Sequence, residues 1–238
     1  MGKTFKKTYQ ITTNMFDSND TIKMSTLLDI AQEIAGQHAE ELGCGFQTMI
    51  DKNLIWVIVR NYVEVYKKPK NFFEIDVVTY PLKPRFVEFN RETEFYHKGE
   101  LFAVCRSTWM VINIKDYSVE APTDLFSEYQ DQLGYFKRRI KKLSVLDKSE
   151  LSKVKDVEVV YSMLDHNGHM NNTHYVDFYL DVFKPVYPIK TMQIEYLKQS
   201  FLDDKLTLYK AIKDDKKYLY GYKDDELRFY MECEEFKE

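Results

Sequence analysis

One succession of patterns runs through this chain twice: a polar loop, a stretch with helical periodicity, then several stretches that alternate like strands. In the first pass Leu27, Leu28, Ala31, Ile34, Ala35, His38, Ala39 and Leu42 recur at helical spacing, so residues 24–42 read as the longest helix. Ser25 stands where a cap would start it and Gly43 where a stop would end it. The period then changes to two. Residues 54–66, 72–80, 86–96 and 101–114 are rich in Val, Ile, Phe, Tyr and Thr and read as strands, with turns at 67–71 and 97–100. The second pass is shorter, with a strand at 156–161, a loop, a helix from about Asn172 to Phe183, and strands near 191–200, 205–212, 217–222 and 227–233.

The loops that enter the two helices also align. Asp17-Ser18-Asn19-Asp20-Thr21 matches Asp165-His166-Asn167-Gly168-His169 at Asp and Asn, and has Thr where the second loop has His. The match falls at the same place in both passes, as a duplicated unit predicts. A long helix lying across a curved antiparallel sheet is the hotdog architecture, and two in tandem would reproduce within one chain the symmetric dimer that single units make. The expected fold is therefore α+β, a tandem (double) hotdog with two long helices, each wrapped by a curved antiparallel β-sheet. The expected division is an N-terminal domain over 1–120, a linker over 121–155 and a C-terminal domain over 156–238. The linker reading rests on Pro122, dense charge and the basic run Lys137-Arg138-Arg139-Ile140-Lys141-Lys142.

Composition removes several functions. A net charge of −4 gives no reason to expect a nucleic-acid binder, which usually carries a basic face. Cys44, Cys105 and Cys233 are too widely spaced for a disulfide framework or a Cys-x-x-Cys metal site, which fits a reducing, cytoplasmic setting. Cys44, between Gly43 and Gly45, reads as an incidental thiol, and Trp56 and Trp109 read as core or tunnel wall. The N-terminus is basic but has no apolar stretch behind it, and no run of apolar residues is long enough to span a membrane, so neither signal peptide nor span is expected.

The segment from Leu164 to Tyr175 gathers three of the five histidines together with Asp165, Asn167, Asn171 and Asn172. Helix capping alone would account for some of these Asn and Asp residues. His166 and His169 beside Asp165 lack a third metal ligand, so no metal is expected, and no cofactor. Here the sequence resembles the acyl-ACP thioesterases of plants and bacteria, whose second hotdog carries an Asp-x-Asn-x-His-x-Asn-Asn-x-x-Tyr signature. Asp165, Asn167, His169, Asn171, Asn172 and Tyr175 match it. Asn53-Leu54-Ile55-Trp56-Val57, Ser107-Thr108-Trp109-Met110-Val111 and Ile194-Glu195-Tyr196 look like further segments of that family in the right order, so the resemblance covers residues 5–200.

The resemblance implies hydrolysis of fatty acyl-ACP, with Asp165, Asn167 and His169 as the working groups. Thioester hydrolysis needs a positioned water, a proton acceptor and donors aimed at the oxygen that becomes negative. His169 suits the general base. Asn167 can donate to the carbonyl oxygen or hold the water, and backbone N–H groups near Asn171 and Asn172 at the helix start add donors. Asp165 would orient its neighbours and favour a cationic imidazole, and Gly168 would leave room for substrate. One departure stands out: the plant proteins read Glu-Tyr-x-x-Glu-Cys after the loop, and that later Glu and Cys are both candidates for catalysis there. This chain has Glu195-Tyr196-Leu197-Lys198-Gln199-Ser200. Gln199 cannot take a proton as a carboxylate does. Either the loop residues suffice, or Glu195 substitutes, since strand parity would put it on the same face as Gln199.

The implied partner is acyl carrier protein with its acyl-phosphopantetheine. The basic run at 137–142, with Lys3, Lys6 and Lys7, would attract that acidic protein, although such a run is often a solvated linker. A hotdog alone does not dictate hydrolysis, so an acyl-CoA thioesterase, a β-hydroxyacyl dehydratase and a non-enzymatic acyl-binding module remain rivals. Chain-length preference and a homodimer stay open at this level.

Overall fold

A computed structural model describes residues 4–68, 70–122, 125, 127, 129–130 and 133–237. Lys3 of the expected docking charge and Pro69 of the first expected turn lie outside the described residues. The chain divides into two compact units, Met1–Ile140 and Lys141–Glu238.

In the first unit β1 (Phe5–Gln10) leads through a loop into α1 (Met24–Glu41), α2 (Phe46–Asp51) and then β2 (Leu54–Val65), β3 (Glu74–Pro81), β4 (Phe89–His97), β5 (Glu100–Asn113) and β6 (Val119–Glu120). The strands pair antiparallel in the order β1-β3-β4-β5-β2, with β6 added on β5. The second unit has β7 (Ser152–Glu158), α3 (His174–Phe183), β8 (Ile189–Tyr196), β9 (Lys205–Lys213), β10 (Lys216–Lys223) and β11 (Glu226–Glu235). Its order, β7-β9-β10-β11-β8, is the order of the first unit strand for strand. The tandem hotdog expected from the repeated periodicity is what the chain forms, with helices of unequal length: 18 residues in α1 and 10 in α3.

Each helix is held by its buried stripe. α1 buries Leu27, Leu28, Ala31, Ile34 and Ala35 and packs on β3, with β1 and β4 also in contact. α3 buries Tyr175, Val176, Phe178 and Tyr179, and the Tyr175 ring meets Phe229 of β11 edge-on, with ring centroids 4.7 Å apart. Full burial of each large apolar side chain is worth roughly 1.5–3 kcal/mol, which outweighs the modest helix propensity of the aromatics. At the end of α1, Gly43 takes φ 74° while its N–H and that of Cys44 bond the carbonyls of Glu40 and Ala39, a Schellman stop. The start differs from expectation. Ser25 lies inside the first turn and is buried, and Lys23 occupies the cap position without a side-chain cap bond.

Local pattern and structure part company at three other places. β1 was not apparent in the sequence, because its half-buried positions are Phe5, Lys7 and Tyr9, only two of them apolar. β7 opens at Ser152, inside the segment set apart as linker, since lysines and acids occupy most of its positions. β8 stops at Tyr196 instead of running to 200, because the N–H groups of Leu197 and Lys198 both turn to the carbonyl of Arg228.

The basic run is an anchored strip rather than a loose connection. In the first unit, buried Arg106 donates to the carbonyls of Leu133 and Arg138, and Arg60 to that of Ile140. Arg106 is itself ion-paired with fully buried Glu92. In the second unit, Gln193 donates to the carbonyl of Lys141, and Glu195 accepts from the N–H of Leu143. Lys137, Arg139, Lys141 and Lys142 stay exposed, while Arg138 donates to the Tyr62 hydroxyl at 2.8 Å.

Candidate functional site

The loop that enters α3 is organised by Asp165. One carboxylate oxygen accepts from the N–H of Asn167 at 2.8 Å and of His169 at 3.1 Å, while the Asp165 N–H reaches the His169 carbonyl at 2.7 Å. The Gly168 N–H closes on the Asp165 carbonyl at 3.0 Å, and Leu164 and Met170 bridge across the base of the loop. A five-residue turn thus has its backbone fixed from both sides. It presents the Asn167 side chain to solvent and leaves that of His169 half-buried. Asp165 therefore orients its neighbours through their backbones. Gly168 sits at φ 76° with no described atom within 4 Å of where a Cβ would stand, so its value is the left-handed conformation and not the space that a small residue leaves.

The imidazole of His169 meets the ring of Phe201 edge-on, with centroids 5.0 Å apart and planes at 83°, and the backbones of the two residues form an isolated bridge. Phe201 was not singled out in the sequence. It lies far along the chain, next to Leu202, which is equally exposed, and no local pattern sets it apart.

The remaining expected groups are dispersed. Asn171 accepts from the N–H of Thr173 at 3.1 Å and from its hydroxyl at 3.3 Å, which is a cap on the turn into α3. The Asn172 carbonyl takes the Tyr196 hydroxyl at 3.0 Å. Tyr175 of the signature is buried core. Glu195 is buried, and one of its carboxylate oxygens accepts from Gln193 at 2.8 Å and from the Leu143 N–H at 3.0 Å. Gln199 is exposed and lies beyond the end of β8, so strand alternation does not carry it to the face of Glu195. Ser200 is fully buried, and its carbonyl accepts from the Met170 N–H.

Thiols offer no alternative nucleophile. All three cysteines are buried and unpaired, and burial pushes the Cys44 thiol up and that of Cys105 up to about 12, away from the reactive thiolate. Among the described residues no three His, Cys, Asp or Glu side chains are grouped to hold a metal ion, and no helix is long and apolar enough to cross a membrane.

The first unit repeats the loop bond for bond. Asp17 accepts from the N–H groups of Asn19 (2.8 Å) and Thr21 (3.0 Å), its own N–H reaches the Thr21 carbonyl (2.8 Å), and Asp20 stands at φ 54° where the second unit has Gly168. Phe16 and Ile22 bridge like Leu164 and Met170, and Thr21 bridges to Lys70 as His169 does to Phe201.

Comparison with known proteins finds a family match in each half of the chain. Residues 2–129 match the acyl-ACP thioesterase N-terminal domain and residues 146–228 the acyl-ACP thioesterase C-terminal domain. An oleoyl-acyl carrier protein thioesterase of Arabidopsis thaliana is 24% identical over 85% of this chain, and a palmitoyl-acyl carrier protein thioesterase of Gossypium hirsutum 25% over 90%. The aligned part spans 61% and 56% of those two proteins. Among solved structures, an acyl-ACP thioesterase from Bacteroides thetaiotaomicron shares the fold with a TM-score of 0.87 at 21% identity, covering 97% of each chain. The 12:0-ACP thioesterase of Umbellularia californica does so with 0.83 at 18% identity, covering 98% of this chain and 97% of its own. With matches to both domains in order along the chain, the chain belongs to the acyl-ACP thioesterase family.

Proposed function

We propose that the chain hydrolyses fatty acyl-ACP thioesters to free fatty acid and carrier protein, with His169 and Asn167 acting in the chemical step and Asp165 positioning both. The observation that carries this reading is the half-buried imidazole of His169, mounted on a loop whose backbone Asp165 fastens together with that of Asn167, where the matching loop of the first unit has Thr21. His169 takes a proton from water as the water oxygen bonds to the thioester carbonyl carbon. The carbonyl oxygen, now negative, accepts a hydrogen bond from the Asn167 amide, since the N–H groups of Asn171, Thr173 and His174 at the start of α3 are already engaged within the turn. Collapse of that intermediate breaks the C–S bond, and the imidazolium returns its proton to the leaving sulfur of the phosphopantetheine arm. No step needs a metal or cofactor. Three buried, unpaired thiols are in keeping with a reducing, cytoplasmic setting.

The carrier reading draws on the substrates for which the relatives are named and on the exposed side chains of Lys137 and Arg139, whose backbone strip is held in place. The test is release of free thiol from a ladder of acyl-ACPs, short to long, followed with a thiol-reactive dye beside the matching acyl-CoAs. Thiol release from acyl-ACP is expected, and a dehydratase would give none. Lys137→Glu with Arg139→Glu should raise KM for acyl-ACP more than for acyl-CoA, most clearly at low salt. Equal losses on the two substrates would remove the docking role.

A further inference from the structure

Resting on the general-base reading of His169, we propose that Phe201 is a positioning residue for hydrolysis, its ring setting the rotation of the His169 imidazole. The loop bonds already described fix the backbone of His169 but leave its two side-chain torsions free. Among the described residues, Phe201 supplies the imidazole's only ring or hydrogen-bond contact, edge-on at 5.0 Å. A base that must meet a water on one bearing needs such a wall, because proton transfer depends on alignment as well as on reach.

Phe201 is itself held. Its N–H donates to a carboxylate oxygen of Asp204 at 3.0 Å, its carbonyl accepts the Asp204 N–H at 3.1 Å, and Asp204 is buried and paired with Lys223. The turn is then tied to the strand side of the loop by Val159, whose N–H reaches the Asp204 carbonyl and whose carbonyl accepts from Asp203, both at 2.9 Å. These bonds fix the backbone that carries the ring, which stands 46% exposed beside His169. The duplicated unit points the same way. There the bridge partner of Thr21 is Lys70, which has no ring to offer, so the aromatic wall is present where the imidazole is and missing where it is not.

The experiment is steady-state hydrolysis of acyl-ACP by Phe201→Ala, Phe201→Leu and Phe201→Tyr, with Phe201→Ala repeated in a His169→Ala background. An edge-on aromatic contact sustains an effect of about 2- to 12-fold, so Phe201→Ala should lower kcat by that factor with KM close to the parent's. Phe201→Tyr, which keeps the ring, should recover the rate, and Phe201→Leu, which keeps bulk alone, should not. Without His169 the Phe201→Ala change should have no further effect, since its action passes through the imidazole. A parent-like kcat in Phe201→Ala, a loss confined to KM, recovery by Leu, or the same drop in the His169→Ala background would each overturn the proposal. A His169→Ala enzyme as fast as the parent would instead overturn the base assignment beneath it, so the two failures are distinguishable.

Discussion

The loops at Asp17 and Asp165 share a scaffold and differ in the chemistry mounted on it. Both carry an aspartate whose carboxylate gathers two N–H groups, both place an asparagine two residues later, and both turn through a left-handed residue at the fourth position. The backbone bonds that the two loops share fold the entry turn and by themselves say little about catalysis. Asp165 alone would therefore be weak evidence for an active site, because Asp17 makes the same bonds. The informative positions are those that differ: His169 against Thr21, and Phe201 against Lys70. The duplication acts as an internal control, with one copy showing what the fold needs and the other what has been added.

The comparison breaks first if the side chains of the second loop are idle. His169→Ala should stay folded, with a melting temperature within a few degrees of the parent, and lose about two orders of magnitude or more in kcat, as expected for a general base. Asn167→Ala should lose about 10²- to 10³-fold if its amide is an oxyanion donor. Asn19, in the same loop position of the first unit, serves as its reference, and equal kinetic losses from Asn19→Ala and Asn167→Ala would show that neither amide reports on chemistry.

A smaller kinetic effect is expected from the two aspartates. Asp17→Ala and Asp165→Ala each remove an acceptor from two backbone N–H groups, costing on the order of 1–3 kcal/mol of stability. The melting temperatures of the two variants should therefore fall together, by about 2–4 °C for each kcal/mol. Only Asp165→Ala should also slow turnover, by less than His169→Ala, because positioning a base is worth less than supplying one. A matching drop in kcat for Asp17→Ala would erase the functional asymmetry between the units.

Within the second unit, a related contrast separates the roles of Glu195 and Gln199. Gln199 is exposed beyond the strand end, so Gln199→Ala should keep most activity. Glu195→Ala leaves the Leu143 N–H without its buried acceptor and should destabilise by roughly 1–3 kcal/mol. Glu195→Gln retains an oxygen acceptor, and its rate then separates the two roles: parent-like kcat assigns Glu195 to holding residues 141–143, and a large fall makes it the missing acid.

Much of this is legible in the sequence itself. The helix stripe of α1 and the alternation of β2 to β5 are strong periodic signals, and their recurrence in the second half gave the tandem fold. Detail was lost where apolar periodicity was thin, as in β1 and β7, or where hydrogen bonding ended a pattern that sequence alternation would continue, as at Leu197 and Lys198. The same limit applies to the site. Asp165, Asn167 and His169 are neighbours in sequence and carry a readable spacing. Phe201 reaches His169 only through a bridge between distant segments, and no local pattern announces that.

The smallest expected effect is the sharpest test of the comparison. Thr21 is buried, and its hydroxyl makes one long bond, 3.5 Å, to the Asn19 carbonyl, while its N–H and carbonyl carry the loop regardless of side chain. Thr21→Ala should therefore cost about 1 kcal/mol or less in stability and leave kcat unchanged. Thr21→His goes one step further, since it places an imidazole on the equivalent scaffold opposite Lys70 instead of Phe201. If the difference between the loops were only the missing histidine, Thr21→His would restore thiol release in a His169→Ala enzyme. If the base also needs its aromatic wall, the graft should stay as slow as His169→Ala alone. Measurable recovery would mean that the two loops are chemically interchangeable and that the second unit owes its activity to a single side chain.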